Sequence, residues 1–146
     1  MAEQFEHFDE AMAQSLINAS AALTGLPKFL DARIIEVTPG KLVCTLEVRK
    51  ELLTPFGTLH GGVMAALVDH VLGCVLYPLM PRGAWAATTE FKLNYLAGVR
   101  KGVLRAEADV LALTKRTAVV RIDVSNEDRL ACIAQGTVLI VEQPKK

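Results

Sequence analysis

The residues best suited to chemistry lie close together near the middle of the chain. Residues 53–59 form a loop that leads into His60, Gly61 and Gly62, and these three open a strongly apolar segment at residues 63–80. If that segment is a helix, the glycine amides lie at the positive end of its dipole, where unpaired N–H groups bind negatively charged oxygen. The pattern predicts a site that polarises a carbonyl group. Close packing of two backbones would explain the glycines equally well.

Asp69 is the second candidate, because it follows His60 by nine residues inside the same apolar segment. A helix that is apolar on every side is expected to be buried, and an unpaired carboxylate is costly to bury. The functional interpretation is a nucleophile or general base whose pKa is raised by desolvation. The structural alternative is a buried polar anchor for a hydroxyl group or a backbone amide.

Other candidates for the reacting group are weaker. His60 is a possible catalytic base, but a histidine at a helix start also serves to orient the loop by bonding backbone groups. His70 lies about 100° around the helix from Asp69, so the two side chains cannot face one point. No Gly-x-Ser-x-Gly elbow occurs, and the three cysteines lie far apart in apolar surroundings. We expect buried, reduced thiols, with neither a metal site nor a cofactor.

Two pairs of basic residues are candidates for binding phosphate. Arg100 and Lys101 form one pair, Lys115 and Arg116 form the other, and both pairs fall in predicted hairpin turns. Such residues can contact the phosphates of a nucleotide-bearing substrate, although turn charges are often simply solvated.

The elements that would position these residues belong to an α+β fold. An amphipathic helix is predicted within residues 1–28, stopped by Gly25 and Pro27, and a single domain over residues 29–146. Alternating apolar and polar residues predict six strands, and short connections at 97–102, 114–116 and 126–129 predict hairpins between the last four. The result is a curled antiparallel sheet wrapped around one long helix. The predicted strands cover residues 32–37, 42–48, 85–96, 103–113, 117–125 and 130–141.

Composition excludes several classes of partner. The 146-residue chain has 16 basic and 16 acidic residues and a pI of about 6.8, so it has no strong field with which to bind nucleic acid or an anionic membrane. Asp69, His70 and Pro78 argue against a membrane span at residues 63–80. The mean hydropathy of +0.31 predicts that apolar surface is hidden by self-association. An acidic start to the chain and unpaired cysteines predict a cytoplasmic protein.

Two motifs resemble a known family. The sequence GTLHGG at residues 57–62, followed seven residues later by Asp69, and the sequence TTEFKLNYL at residues 88–96 resemble the phenylacetate-pathway (PaaI-like) type of hotdog-fold acyl-CoA thioesterases. The similarity of organisation runs from about residue 30 to residue 141. It implies the hotdog fold and hydrolysis of an acyl-CoA to a free acid and CoA.

The resemblance also implies roles for particular residues. Asp69 would be the nucleophile or general base, and the Gly62 amide of the other protomer would polarise the thioester carbonyl. A homodimer would then be the minimal active unit, often paired into a tetramer. Gly61 would lie against the substrate, and Thr88 matches an assisting hydroxyl group by its distance from Tyr95.

Two positions leave alternatives open. Thr54, a candidate substrate contact six residues before His60, stands where the family often has Asn or Gln. Thr89 is the immediate neighbour of Thr88, and strand alternation allows only one of the two hydroxyls to serve. Because of Thr54, a non-catalytic acyl-CoA-binding module is the alternative function, and a hydratase on the same fold ranks last.

Overall fold

The computed structural model describes residues 5–144, which fold as one six-stranded antiparallel sheet and three α-helices. The order of strands in the sheet is β1-β2-β4-β5-β6-β3. The elements are α1 (Glu10–Ala19), α2 (Gly25–Leu30), β1 (Arg33–Thr38), β2 (Lys41–Glu47), α3 (Gly61–Cys74), β3 (Trp85–Tyr95), β4 (Val103–Leu113), β5 (Thr117–Asn126) and β6 (Arg129–Val141).

The core lies between α3 and the inner face of the sheet. The side of α3 that is buried carries Leu67, Val71 and Leu72, and the strands contribute the alternate residues that the period-2 pattern predicted to be apolar. Gly136 on β6 allows the helix to approach closely, because a Cβ atom there would lie 3.0 Å from Leu72 Cδ2. The predicted α+β hotdog arrangement is confirmed.

One predicted hairpin is wrong. The connection at residues 97–102 does not pair β3 with β4, because β3 pairs with β6 at one edge of the sheet and β4 pairs with β2 and β5. The connection instead crosses the end of the sheet over the β5–β6 turn, where Arg129 Nη2 donates to the Gly98 carbonyl at 3.0 Å. Its length suits a hairpin, but length does not choose the partner strand. The hairpins at 114–116 and 126–129 are confirmed.

The central helix is shorter than the prediction of 63–80. The stretch Gly61–Leu79 is long and apolar enough for a membrane span by composition alone, but α3 has 14 residues and ends at Cys74. A 3₁₀ turn, Tyr77–Leu79, follows it. Pro78 has no N–H group with which to continue an α-helix. The packing of α3 against the sheet is that of a core helix.

The N-terminal segment also departs from the prediction. Gly25 and Pro27 do not end the helical structure, since α2 begins at Gly25 and contains Pro27 in its first turn. A proline there loses no hydrogen bond, because the first amides of a helix lack partners within it. The segment is thus two short helices, and α2 ends at Leu30, with Asp31 as its C-cap in the left-handed conformation.

Candidate active site

His60 caps the start of α3. Its Nδ1 accepts a hydrogen bond from the Gly62 amide at 2.9 Å, and its own amide donates to the Leu52 carbonyl at 2.9 Å. Since Nδ1 is the acceptor, a neutral His60 ring carries its proton on Nε2. This geometry agrees with the orienting role considered for His60, because the ring fixes the first turn of the helix against the preceding loop.

The two glycines after His60 differ in what their amides can still do. The Gly62 N–H is already bonded to His60, whereas the Gly61 N–H has no hydrogen-bond acceptor within residues 5–144. The Gly61 carbonyl accepts a hydrogen bond from the Tyr95 hydroxyl at 2.8 Å, which holds the helix start to the end of β3. The prediction named Gly62 as the polarising amide, but the geometry favours Gly61, because its amide is available at the positive end of the helix dipole.

Thr54 organises the loop before His60. Its amide donates to the Thr58 carbonyl at 2.7 Å, its carbonyl accepts from Gly57 at 2.9 Å, and its hydroxyl lies 3.1 Å from the Thr58 hydroxyl. Gly57 has a φ of 78°, a conformation that glycine adopts without strain. Thr54 therefore uses its polar groups within the turn.

The expected burial of Asp69 is wrong for the single chain. Its side chain is exposed, because it lies on a narrow stripe of α3 that the rest of the chain leaves at least partly uncovered. Gly62, Ala66 and Gly73 complete this stripe, which we call the small-residue stripe, and all three are at least partly exposed. The sequence of the helix is apolar on every side because most residues of this exposed stripe are glycine or alanine, which a hydropathy pattern does not distinguish from buried residues.

Thr88 and Thr89 lie at a β-bulge. The register of β3 against β6 shifts between Thr88 and Glu90, which leaves Thr89 as the extra residue. Thr89 is exposed and its hydroxyl donates to the Thr137 carbonyl at 3.0 Å. Thr88 is opposite the buried Val138 and therefore faces α3, and its hydroxyl has no partner in the part of the chain that the structure describes. Thr88 is the hydroxyl that is available.

The helix and β3 run alongside each other in opposite directions. Tyr95 contacts Gly61 at the start of α3, and a Cβ atom on Gly73 would lie 3.7 Å from the Ala86 Cβ near the end. Thr88 is two residues from Ala86, so it lies along the half of the helix that carries Asp69. The order along both elements is consistent with Thr88 acting beside the carboxylate.

One chain cannot bring the Gly61 amide and the Asp69 carboxylate to the same carbonyl group. Eight residues separate them, which is about 12 Å of helix rise. A donor to the oxygen and a base or nucleophile at the carbon of one carbonyl must lie much closer together. If both groups act on one carbonyl group, they must therefore come from two different chains.

The four predicted basic residues do not lie together. Arg100 and Lys101 line a groove of about 540 Å³ with Thr58, near the start of α3. Lys115 and Arg116 lie at the β4–β5 turn, at the other end of β5, which is about 30 Å of extended strand away. One nucleotide cannot contact both pairs in one chain.

The groove beside Arg100 contains a further basic residue, Arg129, that the sequence did not indicate. Arg129 and Asn126 line it, because the connection from β3 to β4 crosses the turn that carries them. Within residues 5–144, no carboxylate lies within 4.0 Å of the charged groups of Arg100, Lys101 or Arg129. The three charges remain free to bind an anion. Only the strand order could have revealed Arg129.

The cysteines and His70 are uncharged parts of the structure. Burial raises the pKa of the Cys44 and Cys74 thiols to about 12 and that of Cys132 to about 11. A thiol with such a pKa is not a thiolate nucleophile at neutral pH. Burial lowers the pKa of His70, with Asp69 opposing the shift, so that the ring is neutral at pH 7.

Comparison with known proteins gives concordant matches. The sequence model of the thioesterase superfamily matches residues 56–133, which contain the start of α3, Asp69 and Thr88. The chain is 30% identical over 122 residues to 1,4-dihydroxy-2-naphthoyl-CoA hydrolase of Listeria monocytogenes, covering 83% of this chain and 99% of the relative. It is 30% identical over 131 residues to acyl-coenzyme A thioesterase 13 of Homo sapiens, covering 86% and 93%.

Solved structures show the same architecture. A thioesterase of Pseudomonas aeruginosa superposes with a TM-score of 0.82 at 27% identity, covering 90% of this chain and 94% of that one. The phenylacetic acid degradation protein PaaI of Thermus thermophilus superposes with a TM-score of 0.72 at 28% identity, covering 78% and 96%.

Proposed function

The chain belongs to the hotdog-fold thioesterase superfamily and is a thioester hydrolase, and from this membership we propose that its substrates are acyl-CoA thioesters, which it hydrolyses to a free acid and CoA. The observation that supports this most strongly is the pairing of an unpartnered amide at Gly61 with an exposed carboxylate, Asp69, on the same helix. The two groups have the chemistry that thioester hydrolysis needs, namely an oxyanion donor and a base or nucleophile.

The proposed active unit is a homodimer joined through β3. This strand has a neighbour on one side only, β6, so its other edge is available to pair with a second copy. Antiparallel pairing about a two-fold axis would place the two α3 helices side by side in opposite directions. The Gly61 amide would then approach the partner's Asp69. Such dimers can pair again into a tetramer.

In the proposed mechanism the thioester oxygen accepts a hydrogen bond from the Gly61 amide. Asp69 then takes a proton from water as hydroxide adds to the carbonyl carbon, or its carboxylate adds directly to form an anhydride that water cleaves. In both routes the carbon–sulfur bond breaks, the electron pair leaves with sulfur, and the thiolate is protonated to free CoA. In this mechanism Thr88 orients the carboxylate or the water.

The nucleotide of CoA would lie at the groove of Arg100, Lys101 and Arg129. This groove and the cavity that touches Gly61 share Thr58 and Gly98, so a pantetheine arm can run from the thioester to the phosphates without crossing the sheet. Arginine and lysine without carboxylate partners suit phosphate binding. Lys115 and Arg116 would take no part in holding that nucleotide within the same chain.

The experiment that tests the function is steady-state release of CoA thiol by the wild-type protein and by Asp69→Asn. The substitution keeps the size of the side chain and removes its basicity. We expect the wild type to turn over and the variant to lose about 10²- to 10⁴-fold in kcat, the usual contribution of a positioned base. Thermal unfolding of both proteins controls for folding.

If both proteins bind acyl-CoA with similar affinity and neither releases thiol, the acyl-CoA-binding module replaces the enzyme. If the variant retains full activity, Asp69 is not the base or nucleophile. Sedimentation of the wild type at the assay concentration reports whether the active species is a dimer or a tetramer.

A further inference from the structure

An apolar groove of about 350 Å³ adjoins the start of α3. One wall is the helix itself, where His60, Gly62 and Ala66 line the groove. The opposite wall is α2, which contributes Leu26 and Phe29. This second wall lies outside residues 56–133, the part of the chain that matches the superfamily. The groove therefore combines the helix inside the matched region with an element outside it.

The α2 wall presents large apolar side chains to the groove. Leu26 is 56% exposed and Phe29 is 59% exposed in the single chain, and exposure of such side chains forgoes the favourable free energy of burial. Phe29 is nevertheless held in place. The Arg49 guanidinium lies over its ring at 5.2 Å from the centroid, and the same guanidinium donates to the carbonyls of Phe29 and Leu30. An apolar surface fixed in this way is preorganised for a ligand.

We propose that this groove holds the acyl group of the substrate and that α2 selects its size and polarity; the proposal rests on the thioesterase function above. The occupant follows from continuity, because His60 and Gly62 line the groove and flank the Gly61 amide that holds the thioester oxygen. An acyl chain that leaves the carbonyl at this point enters the groove directly.

The size of the groove defines the class of acyl group. At about 30 Å³ for each water-sized group, 350 Å³ holds about a dozen non-hydrogen atoms, which suits a medium-length alkyl chain or a single aromatic ring. Glu51 also lines the groove and disfavours acyl groups that end in a carboxylate. Arg49 cannot compensate, since Glu51 lies 3.8 Å from it and its remaining donors bond carbonyl groups. The structure assigns uncharged acyl groups of medium size.

The test compares kcat/KM for acetyl-CoA, octanoyl-CoA, benzoyl-CoA and succinyl-CoA in the wild type, Leu26→Ala and Phe29→Ala. We expect octanoyl-CoA and benzoyl-CoA to exceed acetyl-CoA and succinyl-CoA by at least about tenfold in the wild type. Phe29→Ala should reduce the octanoyl-to-acetyl ratio about tenfold, the usual effect of a lost apolar contact in a pocket, and Leu26→Ala somewhat less. Leu111→Ala is the matched control, because Leu111 is similarly exposed but lies at the far end of β4.

The outcomes separate this proposal from the function on which it rests. Thiol release with an unchanged octanoyl-to-acetyl ratio in both α2 variants, or a preference for succinyl-CoA, overturns the acyl groove and leaves the thioesterase intact. Dissociation of the oligomer by Phe29→Ala, seen by sedimentation, assigns the α2 wall to a subunit contact and also overturns it. Absence of thiol release from every thioester defeats the proposed function itself, and the groove assignment with it.

Discussion

The two ends of α3 differ in how completely one chain prepares them for chemistry. At the start, His60 fixes the Gly62 amide and Tyr95 fixes the Gly61 carbonyl, so the donor proposed at Gly61 is held in position by its own chain. Toward the other end, the Asp69 carboxylate has no hydrogen-bond or ion-pair partner within residues 5–144, while His70 beside it is held uncharged by burial. In the proposed dimer, the start of α3 is thus held in place by its own chain, whereas Asp69 depends on a second copy to complete its surroundings.

This difference separates two kinds of sequence change. A change at the start of α3 should act on the geometry of the donor, and its effect should depend on whether an N–H group remains. A change at Asp69 should act on the chemistry alone, because no described contact of the fold depends on that side chain. The effects of variants at the two ends can therefore be distinguished from each other, and the variants can be combined.

Among the variants that test the difference between the two ends of α3, Gly61→Pro is expected to have the largest effect. Proline removes the N–H group at the first helical position, which is where helices accept proline best, and His60 already has the extended backbone that precedes proline. We expect kcat to fall about 10²- to 10³-fold, the usual loss for one oxyanion donor. The measurement is steady-state thiol release, with circular dichroism to confirm the fold.

Gly61→Ala is the matched control for that variant. Its Cβ would also meet the Tyr95 hydroxyl, at 2.8 Å, but it keeps the N–H group. A large difference between proline and alanine assigns the donor to Gly61. Equal activity of the two variants would instead return the role to the Gly62 amide, as the resemblance suggested, and would require His60 to release it.

The second prediction joins the two ends across the dimer. Gly61→Pro and Asp69→Asn each inactivate both sites of a homodimer, but a mixed dimer has one site with an intact Gly61 amide and an intact partner's Asp69. Refolding the two variants together in equal amounts should restore roughly a quarter of wild-type activity, since half of the dimers are mixed and half of their sites are intact. Each variant refolded alone is the control. No recovery in the mixture would show that both groups act from one chain.

How much of this could be read from the sequence depends on how local each feature is. Strand alternation gave the bounds of β4 to the residue, and the glycines after His60 marked the start of α3. The pairing of β3 with β6 was not predicted because the order of strands depends on contacts between distant parts of the chain. The position of Arg129 beside Arg100 was not predicted for the same reason. The exposure of Asp69 was not predicted because the residue types of the small-residue stripe are as apolar as those of the buried side of α3.

The choice between the two glycines shows the same limit at a smaller scale. The motif places Gly61 and Gly62 next to each other, and no spacing argument separates their amides. The rotamer of His60 distinguishes the two amides, because its Nδ1 accepts a hydrogen bond from the Gly62 N–H and leaves the Gly61 N–H without an acceptor in the described residues. The bulge at Thr89 similarly decided which threonine faces the helix. Both are contacts that local propensity does not encode.

The third prediction, of intermediate size, concerns His60. If its role is to cap α3, His60→Ala should lower the free energy of unfolding by about 1 kcal/mol and weaken activity, whereas His60→Asn should restore most of both, because asparagine is a good N-cap residue. Urea unfolding and kcat measure the two quantities. Loss of activity in His60→Asn at wild-type stability would instead assign His60 to catalysis as a base.

The smallest expected effect is at Cys74, which ends α3 one turn beyond His70. Burial raises the pKa of its thiol to about 12, with the Asp69 charge adding to the shift. In the unfolded chain the thiol pKa is near its ordinary value of about 8.5. The folded protein should therefore react with iodoacetamide at pH 8.5 far more slowly than the urea-unfolded protein, and Cys74→Ala should keep kcat within about twofold, since it removes no reacting group.

The same shift in the Cys74 pKa sets the sign of the pH dependence of stability. Above about pH 9 the unfolded thiol loses its proton while the folded one keeps it, so the free energy of unfolding falls as the pH rises, and this fall should be shallower in Cys74→Ala. Rapid alkylation of Cys74 in the folded protein with parallel loss of activity would place a reactive thiol beside Asp69 and would mean that this end of the helix is also prepared for chemistry within one chain.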